Sequence, residues 1–132
     1  MIIDGKTIAE NIKENVRKEV AALQRSGVNP SLSVIVVGND PASEVYVRNK
    51  ARASEKVGII SNTYKLPENA STKDVVELVE ALNADEKVHG ILVQLPLPKG
   101  IDEEKVISAV SPEKDVDGFS VFSSGSLYLN KN

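Results

Sequence analysis

The hexapeptide Leu32-Ser33-Val34-Ile35-Val36-Val37 constrains this chain more than any other feature. It is too short for a helix, rich in β-branched residues and almost wholly apolar. It lacks the alternation of a strand with one wet face. Such a run predicts a strand buried on both sides, which requires helices above and below the sheet that contains it. Asn29-Pro30 before it and Gly38-Asn39-Asp40-Pro41 after it supply turns. A second run, Ile91-Leu92-Val93, has the same character and leads into Gln94-Leu95-Pro96-Leu97-Pro98. Between them, residues 59–66 are more polar and read as a less buried edge strand stopped by Pro67.

Helical patterns alternate with these strands. Thr7-Ile8-Ala9-Glu10 reads as a capping box, with Ile8, Ile12, Val16, Val20 and Leu23 marking one face of a helix that ends near Ser26-Gly27. A second helix is predicted from about Ala42 to Val57, with Gly58 just past its end. Ser71-Thr72-Lys73-Asp74 opens a third, whose face carries Val75, Val76, Leu78, Val79 and Leu82. Asp102 can cap a short fourth helix ended by Ser111-Pro112. Residues 112–119 read as an ordered loop, and the Ser- and Asn-rich stretch from Ser120 onward as loose. The fold class that follows is α/β: three αβα layers around a mostly parallel sheet. In open sheets of this kind ligands bind beyond the carboxyl ends of the strands.

Bulk properties narrow the function. A length of 132 residues suits one domain with a real core, and a formal charge of −3 gives no bulk attraction for nucleic acid or anionic membrane. The chain has no cysteine, which excludes disulfides and thiolate metal sites and fits a cytoplasmic protein. His89 is the single histidine; it precedes a strand, has no evident partner and reads as a surface residue. No apolar run approaches the ~18 residues of a membrane span.

The helix from Ala42 places Ser43, Tyr46 and Lys50 at i, i+3 and i+7, within roughly 60° of one another. The stripe continues through Ala53 and Val57, residues that belong on a buried face. A lysine there is out of place, because an unpaired buried charge is expensive. On spacing alone the commoner reading is a surface lysine snorkelling past a core tyrosine. The sharper reading is a pocket in which Tyr46 offers a stacking face and a desolvated Lys50 moves protons near neutral pH. Ser43 alone reads as a first-turn residue.

Gln94 ends an apolar strand, where a neutral amide can hold a lysine or a ligand without adding charge; an exposed strand end is the plain alternative. One of the prolines that follow can be cis. Glu113-Lys114-Asp115-Val116-Asp117-Gly118 sets two carboxylates two residues apart before a glycine. Taken alone, this is most often a solvated turn. It also suits the paired N–H donors of an amino-pyrimidinone edge. An Asp-x-Asp can bind a metal, but no third or fourth ligand is apparent. No G-x-G-x-x-G or G-x-x-x-x-G-K-[ST] phosphate cradle occurs.

In order along the chain, Asp40-Pro41-Ala42-Ser43-Glu44-Val45-Tyr46-Val47-Arg48-Asn49-Lys50, Gly90-Ile91-Leu92-Val93-Gln94-Leu95-Pro96-Leu97-Pro98 and Pro112-Glu113-Lys114-Asp115-Val116-Asp117-Gly118-Phe119 resemble the methylenetetrahydrofolate dehydrogenase/cyclohydrolase family. Ile3-Asp4-Gly5-Lys6 is similar to the family's opening, and the likeness runs from residue 2 to about 119. Where the family commonly carries His-Pro-x-Asn-x-Gly-Arg-Leu, this chain has Ser120-Val121-Phe122-Ser123-Ser124-Gly125-Ser126-Leu127. Gly125 and Leu127 keep the frame.

The resemblance implies a tetrahydrofolate substrate. It implies oxidation of 5,10-methylenetetrahydrofolate with NADP, and hydrolysis of the methenyl form to 10-formyltetrahydrofolate. It casts Lys50 as the main catalytic group, Gln94 as its hydrogen-bond partner, Tyr46 as the stacking platform and Asp117 as the holder of the pterin edge, with Ser43, Leu95 and Pro96 lining the cleft. It implies residues 1–119 as a folate-binding catalytic domain and 120–132 as the start of a linker towards a Rossmann-type NADP domain absent from this chain. No metal is implied. The family's homodimer is not carried over, because its main contact lies in that second domain. Two rival readings are a non-catalytic folate-binding module and a receiver-like signalling domain. The second is disfavoured because only Asp40 follows the first strand and no later strand supplies a lysine.

Overall fold

A computed structural model of the protein describes residues 3–130. Eight elements run α1 (Gly5–Arg25), β1 (Ser31–Val37), α2 (Pro41–Val57), β2 (Ile60–Leu66), α3 (Thr72–Ala84), β3 (Gly90–Val93), α4 (Glu103–Ala109) and α5 (Val121–Tyr128). The strands form one parallel sheet in the order β2-β1-β3. The apolar run therefore occupies the centre, with residues of opposite parity facing opposite helical layers. Ile35 and Val37 join Val75, Val79, Leu82, Ile91, Val93 and Val106 beneath α3 and α4. Val34 and Val36 join Val47 and Leu92 beneath α2. Helices on both faces of a parallel sheet give the three-layer αβα architecture. Ile60–Leu66 is an edge strand, as its polarity implies. No helix among the described residues is long and apolar enough to cross a membrane.

Local chemistry sets the helix ends. Asp40 caps α2 by accepting from the Ser43 N–H at 2.7 Å, Pro41 takes the first helical position, and Gly58 ends the helix at φ 86°. Gly58 is also where α1 approaches: a Cβ there would stand 3.2 Å from Val20 Cγ1. Ser71 and Asp74 close a reciprocal capping box on α3.

Four expectations are corrected. The cap of α1 is Asp4 rather than Thr7: the Asp4 carboxylate accepts from the Lys6 and Thr7 amides and from the Thr7 hydroxyl, so Thr7 acts as a donor. The α1 stripe is buried only where α1 crosses α2, at Val20 and partly at Val16, while Ile12 is 57% exposed. Ala53 is exposed, because α2 turns its buried face through Val47, Ser54 and Val57. The stretch after Ser120 is helical: Ser120 caps α5 by accepting from the Ser123 amide, although α5 buries no residue. The ends of the two expected segments, residues 1–2 and 131–132, lie outside the described residues.

Candidate active site

Lys50 lies on the last half of α2 and is half-buried. Its Nζ donates to Gln94 Oε1 at 3.1 Å. Gln94 sits one residue beyond β3, and its backbone N–H donates to the Ile35 carbonyl at 2.9 Å, which extends the sheet by one rung. Its side-chain Nε2 donates to the Leu95 carbonyl at 2.9 Å. That bond assigns the amide: nitrogen toward the main chain, oxygen toward the lysine. The Leu95–Pro96 bond that follows is cis.

The loop after α4 completes the arrangement. Ile91 N–H donates to the Lys114 carbonyl at 2.7 Å and Ile91 pairs with Asp115 in a parallel bridge, so the loop lies along the outer edge of β3. Lys114 Nζ donates to the Leu82, Asn83 and Asp85 carbonyls at 3.1, 2.8 and 2.8 Å, filling the acceptors at the C-terminus of α3. The Asp115 carboxylate accepts from the Gly118 and Ser120 amides and the Ser123 hydroxyl, each at 2.9 Å. Burial alone would raise the Asp115 pKa, but these hydrogen bonds outweigh it and hold the group below its ordinary value.

Asp117 behaves oppositely. Burial of its carboxyl pushes its pKa above the ordinary carboxylate value; the Lys50 ammonium draws it down and Asp115 pushes it up. The residue as a whole remains exposed, and it lines a small crevice with Ile91, Val93, Ile107 and Val110.

The structure thus joins Lys50 to Gln94 at the carboxyl side of the sheet, with Asp117 on the loop along the edge of β3, where the lysine's charge acts on its carboxyl. Tyr46 stands one turn before Lys50 and is 61% exposed, leaving its ring free as a platform. Ser43 is buried in the first turn of α2. Leu95 is half-buried; Pro96 is exposed and borders a cavity of about 300 Å³ lined by Gly38, Asn39, Asp40, Glu68 and Pro98. His89 is exposed, but it has a partner: its Nδ1 accepts from the Ser31 amide at 3.2 Å. No cluster that could hold a metal is found among the described residues. Sequence reasoning missed Lys114 and Gly90 as organisers of the loop because their partners lie far along the chain, and Asp115 because Ser120 and Ser123 fall in the stretch read as loose. The one signal was the dense charge of residues 113–117.

The tetrahydrofolate dehydrogenase/cyclohydrolase catalytic-domain model matches residues 3–117. The chain is 54% identical over 128 residues to the bifunctional protein FolD of Moorella thermoacetica, an alignment covering 97% of this chain and 46% of that protein. The crystal structure of the bifunctional FolD methylenetetrahydrofolate dehydrogenase/cyclohydrolase from Campylobacter jejuni superposes with a TM-score of 0.96 at 42% identity, over 98% of this chain and 46% of that one. The Trypanosoma brucei enzyme, crystallised with NADP cofactor and inhibitor, superposes with a TM-score of 0.93 at 36% identity, over 100% of this chain and 46% of that one. The chain therefore spans about half the length of the relatives it matches.

Proposed function

The chain belongs to the tetrahydrofolate dehydrogenase/cyclohydrolase family, and on that premise we propose that it is the folate-binding catalytic domain of a bifunctional enzyme. That enzyme oxidises 5,10-methylenetetrahydrofolate with NADP and hydrolyses 5,10-methenyltetrahydrofolate to 10-formyltetrahydrofolate. The observation that carries this reading is the Lys50 Nζ to Gln94 Oε1 hydrogen bond, with the Asp117 carboxyl close enough to feel the lysine's charge.

The geometry suggests a division of labour. The open Tyr46 ring stacks on the pterin, and the Asp117 carboxylate accepts from the exocyclic amine and adjacent ring N–H. Ser43, Leu95 and Pro96 line the approach. In the hydrolytic step, water adds to the carbon bridging two substrate nitrogens. The Lys50 amino group relays a proton from that water to the nitrogen that departs, leaving the formyl group on the other. Gln94 orients the amine without adding a competing charge.

NADP would supply the hydride acceptor, but the described residues do not fit it. The strand-to-helix turns after β1, β2 and β3 are capped by Asp40, by Ser71 with Asp74, and by Asp102, so an anion at these helix N-termini would meet carboxylates rather than free amides. We therefore assign NADP to a second domain beyond residues 1–119, with residues 120–132 leading toward it, and place no hydride step on this chain. One-carbon supply for purine biosynthesis in the cytoplasm fits the proposed activity and the cysteine-free composition.

Lys50→Met, made in a protein carrying both domains, should reduce cyclohydrolase turnover to background with the melting temperature unchanged. Loss of methenyl absorbance at the parent rate would overturn the assignment. If this chain alone binds folic acid but never hydrolyses the methenyl form, it is a binding module.

A further inference from the structure

Asp117 has no hydrogen-bonded anchor of its own among the described residues, yet a group that reads a pterin edge must be held within about half an ångström. Its neighbours supply the anchorage. Asp115 accepts three hydrogen bonds within the tight stretch 118–123, two of them from the Gly118 and Ser120 backbone amides that follow Asp117. Lys114, just before it, is fixed by three carbonyls at the end of α3. Gly90 provides the seat: an added Cβ there would lie 2.6 Å from Val116 Cγ1, so Val116 rests directly on the β3 backbone.

Resting on the folate-binding reading above, we propose that Asp115 is the positioning residue for Asp117: it folds the loop along the edge of β3 into the conformation that fixes where the Asp117 carboxyl points. The same carboxylate tethers α5, since Ser120 and Ser123 are the cap and third residue of that helix. α5 buries nothing of its own, so its first turn and the substrate-binding carboxyl share one fastening. Asp115 touches neither the lysine nor the amide, so its effect on substrate passes through Asp117.

The test is a double-mutant cycle on the full chain, with folic acid as the probe in calorimetry and folding followed by circular dichroism. Asp115→Ala should weaken folic acid binding about tenfold, the scale of one lost charge-assisted hydrogen bond. In an Asp117→Ala background the same change should have no further effect. Ser123→Ala removes one bond without disturbing the backbone, and should give a smaller loss of the same kind if Asp115→Ala does not fold. A second readout does not depend on folate. By carboxyl NMR, Ser123→Ala, which keeps the Asp115 charge, should move the Asp117 titration midpoint downward, because burial is the main cause of its raised value and a loosened loop exposes it. An additive cycle, or an unmoved Asp117 midpoint, overturns the proposal. Unchanged folic acid affinity in Asp117→Ala alone would instead sink the folate reading, and the NMR midpoint would still decide the role of Asp115.

Discussion

The two faces of the sheet are built to different standards. Beneath α3 and α4, ten buried apolar residues form one continuous cluster. Beneath α2 the cluster has four, and that helix's inner side also carries Val57 with Ser43, Ser54 and the half-buried Lys50. Stability is concentrated on the first face, and the Lys50–Gln94 pair is reached from the second. A lysine can be kept close to a sheet only where the packing is thin enough to leave it access to water.

Three substitutions would break or sharpen that contrast. The largest effect is expected from Ile35→Ala, a fully buried residue on the α3 side of the central strand. It should cost about 2–5 kcal/mol in urea unfolding, the range for buried large-to-small changes. A loss under 1 kcal/mol would mean that this face is not the stabilising one.

Gly90→Ala comes next. The new methyl must displace Val116, and overpacking of this kind costs about 1–3 kcal/mol. Folic acid affinity should fall as the loop lifts, and Val116→Ala in the same chain should restore it. Failure of that rescue would place the role of Gly90 elsewhere.

The smallest effect is a pH dependence. Asp117 has a raised pKa in the folded state, so its contribution is present below the unfolded carboxylate value and is lost as pH rises through the folded one. Asp115 has a lowered pKa, so its contribution is present above the unfolded value and is lost as pH falls through the folded one. Asp117→Asn should therefore gain stability relative to the parent as pH rises through the weakly acidic range, while binding folic acid poorly. Melting curves that run parallel across that range would contradict it.

Much of this was legible in the residues. Val34 to Val37 declare a central strand because nothing else buries both faces of so short a run. Gly58, Ser71 and Asp102 mark helix ends through bonds made within a few residues. Lys50 stood out because its stripe-mates are apolar, and the family resemblance supplied Gln94 as its partner. The illegible parts depend on distant chain or on polar caps that leave no apolar pattern. The amide of Ser31 meets His89 across 58 positions, and α5 forms without apolar periodicity because Asp115 and Ser120 fasten its first turn. Thr7 misled for a local reason: the helix already starts at Asp4, whose carboxylate accepts from the Lys6 and Thr7 amides, and the Thr7 hydroxyl donates to that carboxylate.

The bond from the Gln94 side chain to the carbonyl of its own neighbour has one further consequence. With the nitrogen committed there, a half-turn of the amide would set N–H against ammonium and carbonyl against carbonyl, two repulsions at once. The lysine therefore meets the amide's oxygen, and the polarity of the contact is dictated by the peptide unit immediately before a proline.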